Sequence, residues 1–250
     1  MDNFILTKHI LHLSKQKSQK AFTILLAQGI LAGIYIALGA IGYLKVVANT
    51  GDAGLGSFIG ALVFPLGIVA IIVMKAELFT SDSMVMAAVY AGKTKITKIF
   101  RVLLIILIAN LIGAIFIALM TNWAGIFGDN IMVLLAHKAV TKVNMPIVKL
   151  FFSSILCNII VSTGVCLSYR CREEITQIVV VWFAITVFVL SGTEHIVANM
   201  YYLFTAYFLG ADISILGILY NLSIVAIGNF IGGGVIVSGF NYLIDYKYIK

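Results

Sequence analysis

Charge is scarce in this sequence. Asp, Glu, Lys and Arg make up 11% of its 250 residues, where a soluble domain carries about 25%. Mean hydropathy is +1.09 and 62% of the residues are hydrophobic. Apolar runs of roughly 18 residues or more recur, the length that crosses ~30 Å of hydrocarbon. A soluble globular domain is excluded, and an all-α polytopic membrane protein is expected. Proline and cysteine are also rare, with two and three copies. No Pro/Ser-rich or charged linker divides the chain, so residues 21–250 are expected to form a single domain. Cys157, Cys166 and Cys171 fit no Cys-x-x-Cys metal or redox spacing. They read as small buried hydrophobes, and neither a metal nor a cofactor is expected.

Signatures of chemistry are missing too. No second histidine follows Glu194-His195 four residues on, so the His-Glu-x-x-His zinc site is absent. There is no Gly-x-Ser-x-Gly elbow, and an enzyme is not expected. Without a phosphate loop, a primary pump would need another subunit. The paired Asn-Pro-Ala loops of an aquaporin-type neutral-solute channel are lacking as well.

The formal charge of +7 raises nucleic acid as a partner, but its distribution argues against one. Basic residues sit at the ends of apolar runs, where they orient spans. Lys8, Lys15, Lys17, Lys20, Lys93, Lys95, Lys98, Arg101, Arg170, Arg172, Lys247 and Lys250 fall on one side. Lys45, Lys138 and Lys142 fall on the other. Both termini are therefore expected in the cytoplasm, with the chain in the inner membrane. Residues 1–20 do not read as a cleavable signal. They set Phe4, Ile5, Ile10, Leu11 and Leu13 against Lys8, Lys15, Lys17 and Lys20, the pattern of an interfacial amphipathic helix.

Six spans are expected, at about 21–45, 56–91, 99–123, 147–169, 175–209 and 214–242. The second is interrupted by Lys75-Ala76-Glu77-Leu78-Phe79-Thr80-Ser81-Asp82-Ser83. The fifth is interrupted by Ser191-Gly192-Thr193-Glu194-His195-Ile196-Val197-Ala198-Asn199. Each then resumes an apolar run too short to span alone. Broken helices are tolerated at membrane depth only where they line a cavity or are buried in protein. Pro65 adds a kink to the second span.

The interruptions fall in the middle of each half, about 21–123 and 147–245. Glu77, Ser81 and Asp82 match Glu194, Ala198 and Asn199 at an offset of 117. Ala109-Asn110-Leu111-Ile112-Gly113-Ala114 matches Gly228-Asn229-Phe230-Ile231-Gly232-Gly233 at 119. Ile30, Leu31, Ile34 and Gly39 match Ile155, Leu156, Ile159 and Gly164 at 125. Three spans per half is an odd number, so the halves are expected to be inverted. Inverted repeats with broken helices place permeation near the midplane between the halves.

Lys75-Ala76-Glu77-Leu78-Phe79-Thr80-Ser81 resembles the second-span signature of the formate/nitrite transporter family. Gly192-Thr193-Glu194-His195-Ile196-Val197-Ala198-Asn199-Met200 is similar to its fifth-span signature, and Gly228-Asn229-Phe230-Ile231-Gly232-Gly233-Gly234 to its sixth. The resemblance covers residues 21 to about 245. It implies an aquaporin-like six-span fold and a homopentamer with one pore per protomer. It implies small monovalent anions as substrates: formate, nitrite and hydrosulfide, with chloride a further candidate. A proton-coupled formate or nitrite secondary transporter is the alternative. Lys75 stands where a small residue is usual and Thr193 where an aromatic is common. With Pro65, these departures look closer to the hydrosulfide-channel branch.

His195 is the only intramembrane histidine, and such ionisable groups are functional by default. It can hydrogen-bond an anion or donate a proton to it. Glu77 and Glu194 would repel an anion if free, so each is expected to face donors near the breaks, with Asp82 and Asn199 as further supports. Thr80 can donate to the substrate that His195 contacts. Asn158 and Asn229 are either packing amides or pore contacts. By resemblance, Leu78 and Phe79 form a cytoplasmic constriction, and Phe64, Ile68 and Phe188 an extracellular one. Lys142 is by resemblance a vestibule lysine that concentrates anions. Lys75 reads as a buried cation that pairs with Glu77 or Asp82, or adds positive potential to the pore. Gly29, Gly33, Gly113 and Gly232 to Gly234 allow close helix packing.

Overall fold

The computed structural model describes residues 5–249. Phe4 of the expected N-terminal helix lies outside the described residues. The chain is helical, with no strand among the described residues. A first helix, α1 (Leu6–Gln19), precedes α2 (Phe22–Asn49). The second span is a series of short pieces: α3 (Ala53–Val63), α4 (Leu66–Val73), α5 (Phe79–Asp82), a 3-10 turn (Ser83–Met86) and α6 (Ala87–Tyr90). Then come α7 (Ile96–Trp123), α8 (Asp129–Val143) and α9 (Ile147–Arg170). The fifth span is α10 (Glu174–Leu190) and α11 (Ile196–Phe208). The sixth is α12 (Ile215–Phe230), a π-helical stretch (Ile231–Val237) and α13 (Ser238–Ile249). Five helical stretches are long and apolar enough to cross a membrane, and α10 is a shorter apolar helix.

Both expected interruptions are breaks in the helix, slightly earlier than expected, at 74–78 and 191–195. Pro65 separates α3 from α4, because it has no N–H to continue the ladder. Lys75 and Gly192, an offset of 117 apart, both take left-handed φ values, 53° and 63°. Each closes the half-helix before its break. The Ala76 N–H bonds back to the Ile71 carbonyl at 2.9 Å, and the Gly192 N–H to that of Val189 at 3.1 Å. The reading of Lys75 as a buried cation is thereby corrected. It is exposed, and it makes no ion pair among the described residues. It occupies a turn position that glycine normally fills.

Two helix pairs carry the core. At the α2–α7 crossing a Cβ on Gly33 would fall on the Asn110 carbonyl oxygen, and one on Gly113 on that of Ile30. Glycine there lets two backbones touch, as small residues do between membrane helices. At the α9–α12 crossing Gly228 and Gly232 sit as closely against Ser154 and Ile155.

Two elements depart from expectation. No helix was expected between the third and fourth spans, yet α8 lies there. It buries Ile131, Leu135 and Ala139, a one-face spacing. The N-terminal helix packs on protein rather than lying free on an interface. It buries Leu6 and Ile10 against Met84, Ala87, Val165, Cys166 and Val237. The Thr7 N–H and hydroxyl donate to Asp245 Oδ2 at 2.9 and 2.7 Å. An apolar stripe on a short helix can be covered by lipid or by protein, and its spacing is the same in either case.

Candidate functional site

Each break exposes the first N–H groups of the half-helix that follows it, and these need partners. In the second span the Asn110 Oδ1 accepts from the Phe79 N–H at 3.0 Å. Its Nδ2 donates to the carbonyls of Gly29 (2.8 Å) and Glu77 (2.9 Å). In the fifth span the Asn229 Oδ1 accepts from the Ile196 N–H at 2.9 Å. Its Nδ2 donates to the carbonyls of Ser154 (2.7 Å) and Glu194 (2.9 Å). One amide per half thus holds a break open. Asn158 Nδ2 donates to the carbonyls of Thr80 (3.1 Å) and Asn229 (2.6 Å). Its Oδ1 accepts from Ser162. Asn158 and Asn229 thus both tie backbone carbonyls around the breaks.

The two breaks meet at Thr80 and His195, both buried. His195 caps α11, its Nδ1 accepting from the Ala198 N–H at 3.2 Å. That bond requires a bare Nδ1 and leaves the proton on Nε2, which lies 3.1 Å from Thr80 Oγ1. Neutral His195 therefore donates to Thr80, and the Thr80 hydroxyl hydrogen is free to turn toward a guest.

One cleft reaches His195, and a second comes to Ser81 and Asp82, next to Thr80 in the chain. On the α8 side a cleft of about 80 Å³ is lined by Tyr43, Phe64, Lys138, Lys142, Phe188, Thr193 and His195. Phe188 packs 5.5 Å from His195 and 6.0 Å from Phe64, centroid to centroid. On the α1 side a cleft of about 290 Å³ is lined by Lys17, Lys20, Ile68, Ile71, Lys75, Glu77 and Asp82. Leu78 and Phe79, which join Glu77 to Thr80, are buried, 0% and 6% exposed, and line neither cleft. Ile68 was expected beside Phe64 and Phe188, but it lines the α1-side cleft instead. The Pro65 turn between α3 and α4 lies between Phe64 and Ile68.

The carboxylates are matched by lysines. Lys142 Nζ donates to both Glu194 oxygens at 2.8 Å, and Asn199 Nδ2 adds a bond at 2.6 Å. Lys142 reaches the α8-side cleft, but its charge is largely answered by Glu194. Lys138, singled out by no motif, stands over the Tyr43 ring at 5.1 Å and lines the same cleft without an ion-pair partner among the described residues. Its spacing from Lys142, one helical turn on α8, is the only sign of it in the sequence.

On the α1 side, Lys17 Nζ bonds Glu77 and lies 2.7 Å from Asp82 Oδ1. Lys20 Nζ lies 2.5 Å from Glu77 Oε1. Burial works against the Lys17 charge, but Asp82 and Glu77 outweigh it and keep the ammonium protonated above the ordinary lysine range. Asp82 sits with Glu77 in this ion cluster, and Asn199 with Glu194 in the other.

An all-helical fold with apolar spans, two of them broken at a shared buried pair, defines a multi-span membrane transport protein. The chain belongs to the formate/nitrite transporter family, whose model matches residues 6–243. It is 34% identical over 234 residues to the uncharacterized transporter YrhG of Bacillus subtilis, covering 89% of this chain and 85% of that one. It is 30% identical to the formate channel FocA of Haemophilus influenzae, covering 85% and 83%. A solved structure described as a pentameric formate channel with formate bound superposes with a TM-score of 0.82 at 26% identity, covering 93% and 99%.

Proposed function

We propose that the chain is a channel for small monovalent anions of weak acids, with one pore per protomer of a homopentamer. The buried Thr80–His195 hydrogen bond, at the inner end of the α8-side cleft, carries this reading. A hydroxyl and an imidazole there offer donors to an anion within an apolar surround; if the neutral imidazole first takes up a proton from water and then hands it to the anion, it returns to its neutral form and the weak acid crosses uncharged. The partition of Leu78 and Phe79 on one side, and Phe64 with Phe188 on the other, excludes hydrated ions.

The pairing of Asn110 with Asn229, and of Lys75 with Gly192, supports two inverted halves of three spans within one channel domain over 21–250. The distribution of lysine and arginine supports cytoplasmic termini in the inner membrane. Transport rather than catalysis agrees with relatives named as channels and transporters. Formate and nitrite draw on those relatives. Hydrosulfide draws on Thr193, which lines the α8-side cleft. Lys75 and Pro65 sit at helix ends and bear less on selectivity.

Uptake of formate, nitrite, hydrosulfide and chloride into proteoliposomes, with and without an imposed pH gradient, tests this. A channel equilibrates the weak-acid anions without a gradient. Accumulation that needs the gradient would favour the proton-coupled transporter, and no uptake of any of them would refute both.

A further inference from the structure

The helix α1 carries lysines on two sides, and the protein treats them differently. Lys17 meets Glu77 and Asp82, and Lys20, just past the end of α1, meets Glu77. Lys15 faces another cleft, of about 540 Å³, between α1 and the loop joining α6 to α7. Lys93, Thr94 and Lys98 line it from the other side, facing His12, Lys15 and Ser18 of α1. No carboxylate lines this cleft. Among the described residues none of its three lysines makes an ion pair. All three lysines are exposed, so water and salt screen them from one another, and together they make the cleft a net-positive surface that favours an anion.

The place of this cleft narrows the anion. The span α7 begins at Ile96, two residues before Lys98, so the cleft lies at the level where a bilayer surface would be. Directly along α7, Ile96, Phe100 and Leu104 are 46%, 48% and 57% exposed, an apolar stripe at helical spacing. Basic pockets beside spans, flanked by apolar surface, suit phosphate headgroups.

We propose that this cleft binds a phosphate-bearing anion that bridges Lys15 of α1 to Lys93 and Lys98, in the form of an anionic phospholipid headgroup or free phosphate. The occupant staples α1 to the body of the protein at a site separate from the Thr80–His195 pair.

The test is thermal unfolding of the purified, assembled protein in detergent. Phosphatidylglycerol, phosphatidylcholine or inorganic phosphate is titrated into the parent and into the Lys93→Gln/Lys98→Gln variant. Phosphatidylglycerol raises the parent's Tm, and phosphatidylcholine does not. In the double variant the midpoint of the lipid response moves to roughly twenty-five-fold higher concentration, since each lysine near an anionic surface contributes about a factor of five. Lys15→Gln, on the other wall, gives a smaller shift of the same sign. A parent response to inorganic phosphate, lost in the variant, identifies a soluble anion as the occupant and supports the site. Equal responses to both lipids with none to phosphate, or a variant that responds as the parent does, would overturn it.

Discussion

Asn110 and Asn229 hold equivalent hydrogen-bond positions in the two halves of the chain. Each accepts from the first N–H of the half-helix after a break, and each donates to the carbonyl of a glutamate in that break and to a carbonyl of a packed span. All of these groups are buried away from water. An unpaired buried polar group costs about 1–3 kcal/mol, so each amide decides whether its break persists.

Asn229→Ala leaves the Ile196 N–H and two carbonyls without their partner. It is expected to lower stability by more than about 3 kcal/mol, read as a loss of assembled protein in detergent and a fall of its Tm. Asn110→Ala behaves alike if the two halves are equivalent. A variant as stable as the parent would show that the breaks are held by other contacts.

Lys75 and Gly192 share a left-handed backbone, which costs a residue with a Cβ about 1–2 kcal/mol. Glycine avoids that cost but gains freedom when unfolded. Lys75→Gly is therefore expected to be neutral or stabilising by up to about 1 kcal/mol. Lys75→Val, with a branched Cβ, is expected to destabilise by more than that. Thermal unfolding of the two variants side by side separates this from a pairing role, in which both would lose equally.

The breaks were legible because polar residues interrupt apolar runs at matching places, and Asn110 and Asn229 stood out as an aligned pair. What remained hidden depends on partners distant in sequence. Nothing local joins Lys17 to Glu77 across 60 residues, so α1 read as a lipid-facing helix. Ile68 is grouped with Phe64 and Phe188 by resemblance alone, whereas the Pro65 turn lies between it and Phe64 and the two line different clefts. The helix α8 leaves a weak mark on the sequence because its apolar stripe of Ile131, Leu135 and Ala139 is short and its apolar run is far below the length of a span.

Lys17 balances two carboxylates at the α1-side cleft. Lys17→Gln leaves Glu77 and Asp82 with Lys20 alone, and is expected to loosen α1. Hydrogen exchange over residues 6–19 should quicken. Anion flux should fall, because uncompensated carboxylates at the mouth repel anions. A rise in flux would mean that α1 acts as a plug instead.

His195→Asn keeps the cap of α11, because asparagine is itself a good N-cap, and keeps a donor toward Thr80. It cannot titrate near neutral pH. Flux is expected to persist in an intact assembly while its pH dependence flattens. Flux, selectivity and pH response all equal to the parent would make His195 a packing residue.

The most direct test of the central claim is the reversal potential of purified protein in planar bilayers under a sodium formate gradient. An anion channel gives a potential close to that of formate, and it moves accordingly when nitrite or hydrosulfide replaces formate on one side. A potential that follows sodium, or no current with any of these anions in an assembled protein, would contradict the account.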